Sequence, residues 1–204
     1  MKGAVYNNLN EIVYVEDLEY PTITNNQSSA IIKVHSCCLI QQDLNRNQII
    51  PSRRPGFSIS GVIAKIGENV KRFKAGDEIV AMLPLLNGGG LSEYLSIEEK
   101  YLLLKPKSID FNLSSASLFP SLEAYTALYY SIRFSQGDSI LILSGASAFG
   151  KTAIELSIFW EAGKILTTAS SEEEFLFLNK VFGSKISKII CLYKQEDLFS
   201  TVES

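Results

Sequence analysis

Residues 139–160 read SILILSGASAFGKTAIELSIFW, and this stretch decides the fold. It opens on an apolar run, Ile140-Leu141-Ile142-Leu143. A turn of small residues follows: Ser144, Gly145, Ala146, Ser147, Ala148, Phe149 and Gly150. Beyond it, Ala153, Ile154, Leu156, Ile158 and Phe159 recur at roughly helical spacing. Strand, glycine turn and helix together open a βαβ unit. The spare N–H groups at the start of such a helix, with its dipole, attract phosphate. Gly145 and Gly150 offer close backbone approach to a ligand, with no Cβ in the way.

Three readings of the turn stand side by side. The first is dinucleotide binding on a Rossmann-type half-domain. The second is a nucleotide P-loop, because residues 145–152 match G-x-x-x-x-G-K-[ST]. Lys151 would then reach the phosphates and Thr152 would ligate magnesium. The third is a plain strand-to-helix turn with no ligand. The glycine spacing departs from G-x-G-x-x-G, since Ala148 and Phe149 stand where more glycine is expected. The turn alone does not choose.

The rest of the chain supplies context. Its 204 residues suffice for one large or two small domains. A hydrophobic share of 46% and a charged share of 20% are those of a soluble globular protein. A net charge of −3 gives no reason to expect nucleic acid or anionic lipid as partner. No apolar run approaches membrane-spanning length, and the N-terminus has no signal core. Three cysteines, Cys37, Cys38 and Cys191, do not make a disulfide framework, which implies a reducing, cytosolic setting.

Up to about residue 110 the chain is rich in short strand-like runs, at 4–6, 12–15, 30–34, 60–66, 78–82, 91–95 and 101–104. Turn signals at Asn25-Asn26, Pro55-Gly56, 67–69, 75–77 and 87–90 separate them. Many short strands with glycine-rich turns predict a β-barrel or sandwich. Near Asp110 the texture changes. A helix start falls at 112–116, Pro120 interrupts, and 121–132 reads as a second helix. After the central helix, Gly163 reads as its C-terminal cap. Residues 164–168 form a second strand. Ser171 with Glu174 forms a capping box for a helix to Phe182, closed by Gly183. Residues 187–192 form a third strand. The order β-α-β-α-β predicts a parallel sheet with right-handed crossovers. Three such strands are one half of a doubly wound sheet, and the chain stops after them.

Several ordered motifs now carry a resemblance. They are Pro55-Gly56 with Gly61-Val62-Ile63, and Gly67, Val70, Phe73, Gly76-Asp77 and Ile79. They continue with Gly90-Leu91-Ser92-Glu93-Tyr94, 124–128 (AYTAL), the 145–150 turn, and Tyr193-Lys194 with Glu196-Asp197. In this order they resemble the zinc-independent medium-chain dehydrogenases/reductases, in the quinone oxidoreductase (zeta-crystallin-like) group, nearest its quinone oxidoreductase-like members. The resemblance implies an α/β chain with a GroES-like β-barrel over 1–120, followed by a partial Rossmann domain over 121–204. It also implies a cleft between the domains. It implies NADPH as hydride donor, with NADH as the alternative, and a quinone or conjugated carbonyl as acceptor. The cofactor-binding residues it implies are Gly145, Ala146, Ser147, Ala148, Phe149 and Gly150, with Ser170, Ser171 and Tyr193 toward ribose or phosphate. No residue is assigned as catalytic.

The sequence also departs from the family. Zinc-dependent relatives place ligands where this chain has Ile40 and Phe57, neither of which binds metal. The adjacent Cys37 and Cys38 lack zinc spacing and read as core thiols. The sole histidine, His35, shares a strand face with Lys33 and reads as a surface or inter-strand residue. An Asn-Pro pair in relatives is replaced by Ile40-Gln41, and a threonine near the nicotinamide by Glu123. Glu123 reads either as a proton donor or as an exposed helix residue. A lysine near the 2′-phosphate is replaced by Glu174, with Glu172 and Glu173 beside it. The P-loop reading lacks an acidic residue at the end of the third strand. Two functions of different class follow, a small-molecule oxidoreductase or a truncated, catalytically silent binding or partner module, with a P-loop nucleotide hydrolase as a minor alternative. The open edge of a half-sheet makes homo-oligomers an expectation of both.

Overall fold

The structure is a computed structural model and describes residues 1–23, 27–40, 43, 54–84 and 89–194. The signals at Asn25, Asn26, Gln41, Asn87, Gly88, Glu196 and Asp197 lie outside the described residues. The chain divides into two compact units, Met1–Phe119 and Pro120–Ser204.

The first unit is all β until its last helix. Strands β3 (Ser29–Cys38), β4 (Ser58–Ile66), β5 (Glu78–Met82), β6 (Tyr94–Glu98) and β7 (Leu102–Leu104) form an antiparallel sheet in the order β6-β3-β4-β5-β7. Strands β1 (Gly3–Tyr6) and β2 (Ile12–Val15) form a separate ribbon, joined at Gly3 to Ser92. The β3–β4 register shifts twice, between Ile31 and Ile32 and between Val34 and Ser36. Such bulges bend and twist a sheet, and here its inward side chains meet in one core. Ile32, Ile59, Ile63, Ile79 and Leu102 are fully buried there. Each contributes about 1.5–3 kcal/mol by burial. This is the GroES-like half of the expected fold. The run at 91–95 shifts to Tyr94–Glu98, because Ser92 is spent on the bridge to Gly3 and on a tight turn from Gly90. The run at 101–104 splits into a single 3₁₀ turn and the short β7.

The two helices expected around Pro120 are one. Helix α1 (Phe111–Tyr125) runs through the proline and passes into a π turn, Thr126–Ser131. Asp110 caps it, accepting from the Leu113 N–H at 2.7 Å. Proline removes one helical hydrogen bond and crowds the carbonyl four residues back. Contacts before it outweigh that loss. Ser58 Oγ donates to the Ser115 carbonyl at 2.7 Å, and Ser60 Oγ to that of Phe111 at 2.6 Å. Past the proline, Ala124 and Leu128 sit in the second unit's core.

The second unit holds β8 (Ser139–Ile142), α2 (Ala148–Phe159), β9 (Lys164–Ala169), α3 (Glu172–Phe182) and β10 (Lys188–Cys191). The strands are parallel, in the order β10-β9-β8. The β-α-β-α-β reading thus matches the observed half-sheet. Its core joins Ile142, Ala153, Ile154, Ile165, Ala169, Leu178 and Phe182. Gly163 is not the cap of α2. The left-handed position falls on Glu161, at φ 58°. Gly163 is needed for a different reason: a Cβ there would lie 2.3 Å from the Gly137 carbonyl oxygen. Gly183 does close α3, at φ 50°.

Candidate dinucleotide-binding site

The turn between β8 and α2 is built from backbone contacts to the neighbouring strand. Ser144 takes φ 54°, unusual for a residue other than glycine. Its N–H donates to Thr168 Oγ1 at 2.8 Å, and the Gly145 N–H donates to the Thr168 carbonyl at 3.1 Å. Thr167 Oγ1 donates to the Ile142 carbonyl at 2.7 Å. Thr167 and Thr168, both buried in β9, therefore clamp the turn. The sequence reading missed them. Their signal was two adjacent hydroxyls inside a strand that should be wholly apolar.

The two glycines have close-packing roles. A Cβ on Gly145 would sit 2.1 Å from Thr167 Oγ1. A Cβ on Gly150 would sit 2.3 Å from the Ser144 carbonyl oxygen and 2.8 Å from Gly145 Cα. Gly150 thus lets α2 lie directly on the turn.

Helix α2 then presents its N-terminus. Ser147 is the cap: its Oγ accepts from the Gly150 N–H at 3.0 Å. The N–H groups of Ala146, Ala148 and Phe149 have no protein acceptor among the described residues. Donors left over at the first helical turn, with the positive end of the helix dipole, suit a phosphate. The turn thus brings together Ala146, Ala148 and Phe149 as backbone donors, with Ser147 as their cap. Thr152, by contrast, spends its hydroxyl on the Ala148 carbonyl at 2.9 Å, along the helix. That use does not suit the magnesium ligand of a P-loop.

At the end of β9 lies a second polar group. Ser171 caps α3, accepting from the Glu174 N–H at 3.2 Å. Glu174 Oε2 accepts from the Ser170 N–H at 2.6 Å. The capping box is present, with its acidic arm on the residue before the cap. Tyr193 lies in a single 3₁₀ turn just past β10, half-buried, with Lys194 over its ring at 5.5 Å. Glu123 is exposed on α1.

In the first unit, the sequence reading missed Asp43. This buried carboxylate accepts from the Ile40 N–H at 2.9 Å and from the Gly56 N–H at 3.0 Å. Its backbone carbonyl accepts from the Tyr6 hydroxyl at 3.0 Å. Cys37 lies beside it. Burial first, then the Asp43 carboxylate and Cys38, push the Cys37 thiol up to about 12. Burial also raises Cys38. Phe57 packs edge-on against Phe119 at 5.3 Å. His35 is exposed and stacks on Phe111 at 4.5 Å.

Residues 26–107 match the alcohol dehydrogenase GroES-like domain. Quinone oxidoreductase-like protein 1 of Mus musculus is 36% identical over 136 residues, 66% of this chain and 38% of its own length. The NADPH-dependent alkenal/one oxidoreductase of Arabidopsis thaliana is 35% identical over 191 residues, 85% of this chain and 48% of its own length. The crystal structure of a Pseudomonas syringae quinone oxidoreductase superposes with a TM-score of 0.83 at 21% identity, covering 98% of this chain and 61% of that one. The chain thus spans about half or less of the length of those two curated relatives. It belongs to the medium-chain dehydrogenase/reductase family, on its quinone oxidoreductase side. No helix among the described residues is long and apolar enough to cross a membrane.

Proposed function

We propose that this chain binds a nicotinamide dinucleotide and belongs to an oxidoreductase that reduces quinones or conjugated carbonyls without zinc. The carrying observation is the N-terminus of α2, where the Ala148 and Phe149 N–H groups remain for a pyrophosphate. Ser147 fixes that end of the helix, and Gly150 lets it stand on the turn. Ser170, Ser171 and Tyr193, at the ends of β9 and β10, line the ribose side in this reading. The bound cofactor supplies the hydride, and the protein binds and orients it. Ile40 and Phe57 have no metal-ligating atoms, which supports chemistry without zinc. NADPH is the expected donor, after the Arabidopsis relative's name. Cys37, Cys38 and Cys191 form no disulfide among the described residues, which suits a reducing compartment.

The test uses proline as a probe. Ala148 is the first residue of α2, and Ser147 before it is extended at ψ 161°. Proline is tolerated at that helix position and favours an extended predecessor. Ala148→Pro therefore removes one N–H donor while the helix remains. NADPH titration should show binding by the wild type and about tenfold weaker binding by the variant. Equal affinities would overturn the assignment of this turn. Steady-state oxidation of NADPH with a small quinone and with an enone then separates the two functional classes. Binding without turnover of either acceptor would favour a silent binding module over an enzyme.

A further inference from the structure

A second concave site lies at the opposite end of α2. It is an open groove of about 370 Å³, lined by Tyr129, Phe134, Gln136, Phe159, Trp160 and Glu161. That volume is at the lower end of ligand-binding cavities. Four of the six lining residues are aromatic. Trp160 is their hub, with ring centroids 6.4 Å from Tyr129 and 6.4 Å from Phe134. Tyr125 stacks on Tyr129 at 5.2 Å. Phe159 is 77% exposed and Tyr129 52%, while Trp160 and Phe134 are partly buried against the unit's core.

The one charge in the lining is acidic. Gln136 Nε2 donates to Glu161 Oε2 at 2.5 Å, which orients the carboxylate and leaves its other oxygen. Among the described residues no lysine, arginine or histidine forms an ion pair with Glu161. Glu161 also holds a left-handed backbone, at φ 58°, in the place after a helix where glycine is the usual occupant. A residue in that conformation costs free energy, and such sites cluster where a side chain has a task.

Aromatic faces carry negative potential, and an uncompensated carboxylate adds to it. Anions are repelled by this lining, and a neutral apolar guest makes no use of Glu161. We propose that this groove is a binding site for a quaternary ammonium or methylated amine, held by the faces of Trp160, Tyr129 and Phe134 and by the Glu161 carboxylate. The site is separate from the dinucleotide turn, because the twelve residues of α2 lie between them.

Trp160 is the single tryptophan and reports on the groove directly. Choline chloride would be titrated into the full 204-residue chain against sodium chloride at matched ionic strength. The neutral isostere 3,3-dimethylbutan-1-ol is the second titrant. Choline should change Trp160 fluorescence saturably, and the isostere should bind at least about tenfold more weakly. Glu161→Gln and Tyr129→Leu should each weaken choline at least about fivefold and leave the isostere unchanged. If Glu161→Gln fails to fold, Tyr129→Leu alone decides, because leucine keeps the apolar surface and removes the ring face. An absent or non-saturating response, an isostere that binds as well as choline, or variants that bind choline normally would each overturn the proposal.

Discussion

Gly145→Ala is the sharpest probe of how the turn is held. The added methyl carbon would lie 2.1 Å from Thr167 Oγ1 and 3.1 Å from both Thr167 Cβ and Cγ2. Thr167 has no room to yield. It is fully buried, its β-branched side chain is stiff, and its hydroxyl is bonded to the Ile142 carbonyl. Overpacking of this kind costs about 1–3 kcal/mol. Turning Thr167 aside would lose a buried hydrogen bond worth about 1 kcal/mol more. We expect Gly145→Ala to destabilise the second unit by about 3 kcal/mol. Thr167→Ala alone should cost about 2 kcal/mol. The double variant removes Oγ1 and Cγ2 from the path of the new methyl. It should therefore cost about 2 kcal/mol less than the sum of the singles. Urea unfolding followed by Trp160 fluorescence reads the second unit, which holds the only tryptophan. A Gly145→Ala protein within about 0.5 kcal/mol of wild type would refute the packing argument. So would a double variant additive to within that margin.

Four other outcomes follow from contacts elsewhere in the chain. The Cys37 thiol, pushed up to about 12, should react with iodoacetamide at pH 8.5 at least about a hundredfold more slowly in the folded chain than in urea. Because that value is raised on folding, its contribution to stability is complete below about pH 9 and is lost as pH rises toward 12, by about 1.4 kcal/mol per unit. Comparing urea midpoints of wild type and Cys37→Ser at pH 8 and pH 10 checks the sign. Asp43→Ala leaves the Ile40 and Gly56 N–H groups without their carboxylate and should cost about 3 kcal/mol, read by thermal unfolding. Glu174→Lys removes a carboxylate from the end of β9 and frees the Ser170 N–H. It should raise the ratio of NADPH to NADH affinity about tenfold, with a steeper salt dependence; an unchanged ratio would place the 2′-phosphate elsewhere.

Much of the fold was legible because its signals are local. The apolar run before Gly145, the helical spacing after Gly150 and the Ser171–Glu174 box each lie within a few residues, and each formed. What failed were boundaries set by distant partners. Pro120 reads as a stop, yet α1 runs on, tied to Ser58 and Ser60 from another part of the chain. Gly163 reads as a cap, yet its missing side chain makes room for the Gly137 carbonyl, and Glu161 takes the left-handed position. Asp43 was invisible for the same reason: the Gly56 N–H it holds is 13 residues away.

The site divides along that line too. The sequence places both glycines of the turn against the ligand, as positions that let the backbone come close. The structure fills both spaces from inside, Gly145 with Thr167 and Gly150 with the Ser144 carbonyl. In the proposed reading, ligand approach therefore rests on N–H groups of residues that have side chains, Ala148 and Phe149. Substituting a glycine and removing a donor are then different experiments. Gly150→Val drives a branched side chain into the turn's own backbone, so its loss of binding would accompany a loss of stability. Ala148→Pro leaves the packing intact and removes one donor. Only the second change tests whether the turn holds a phosphate, because only there does the predicted loss come without unfolding.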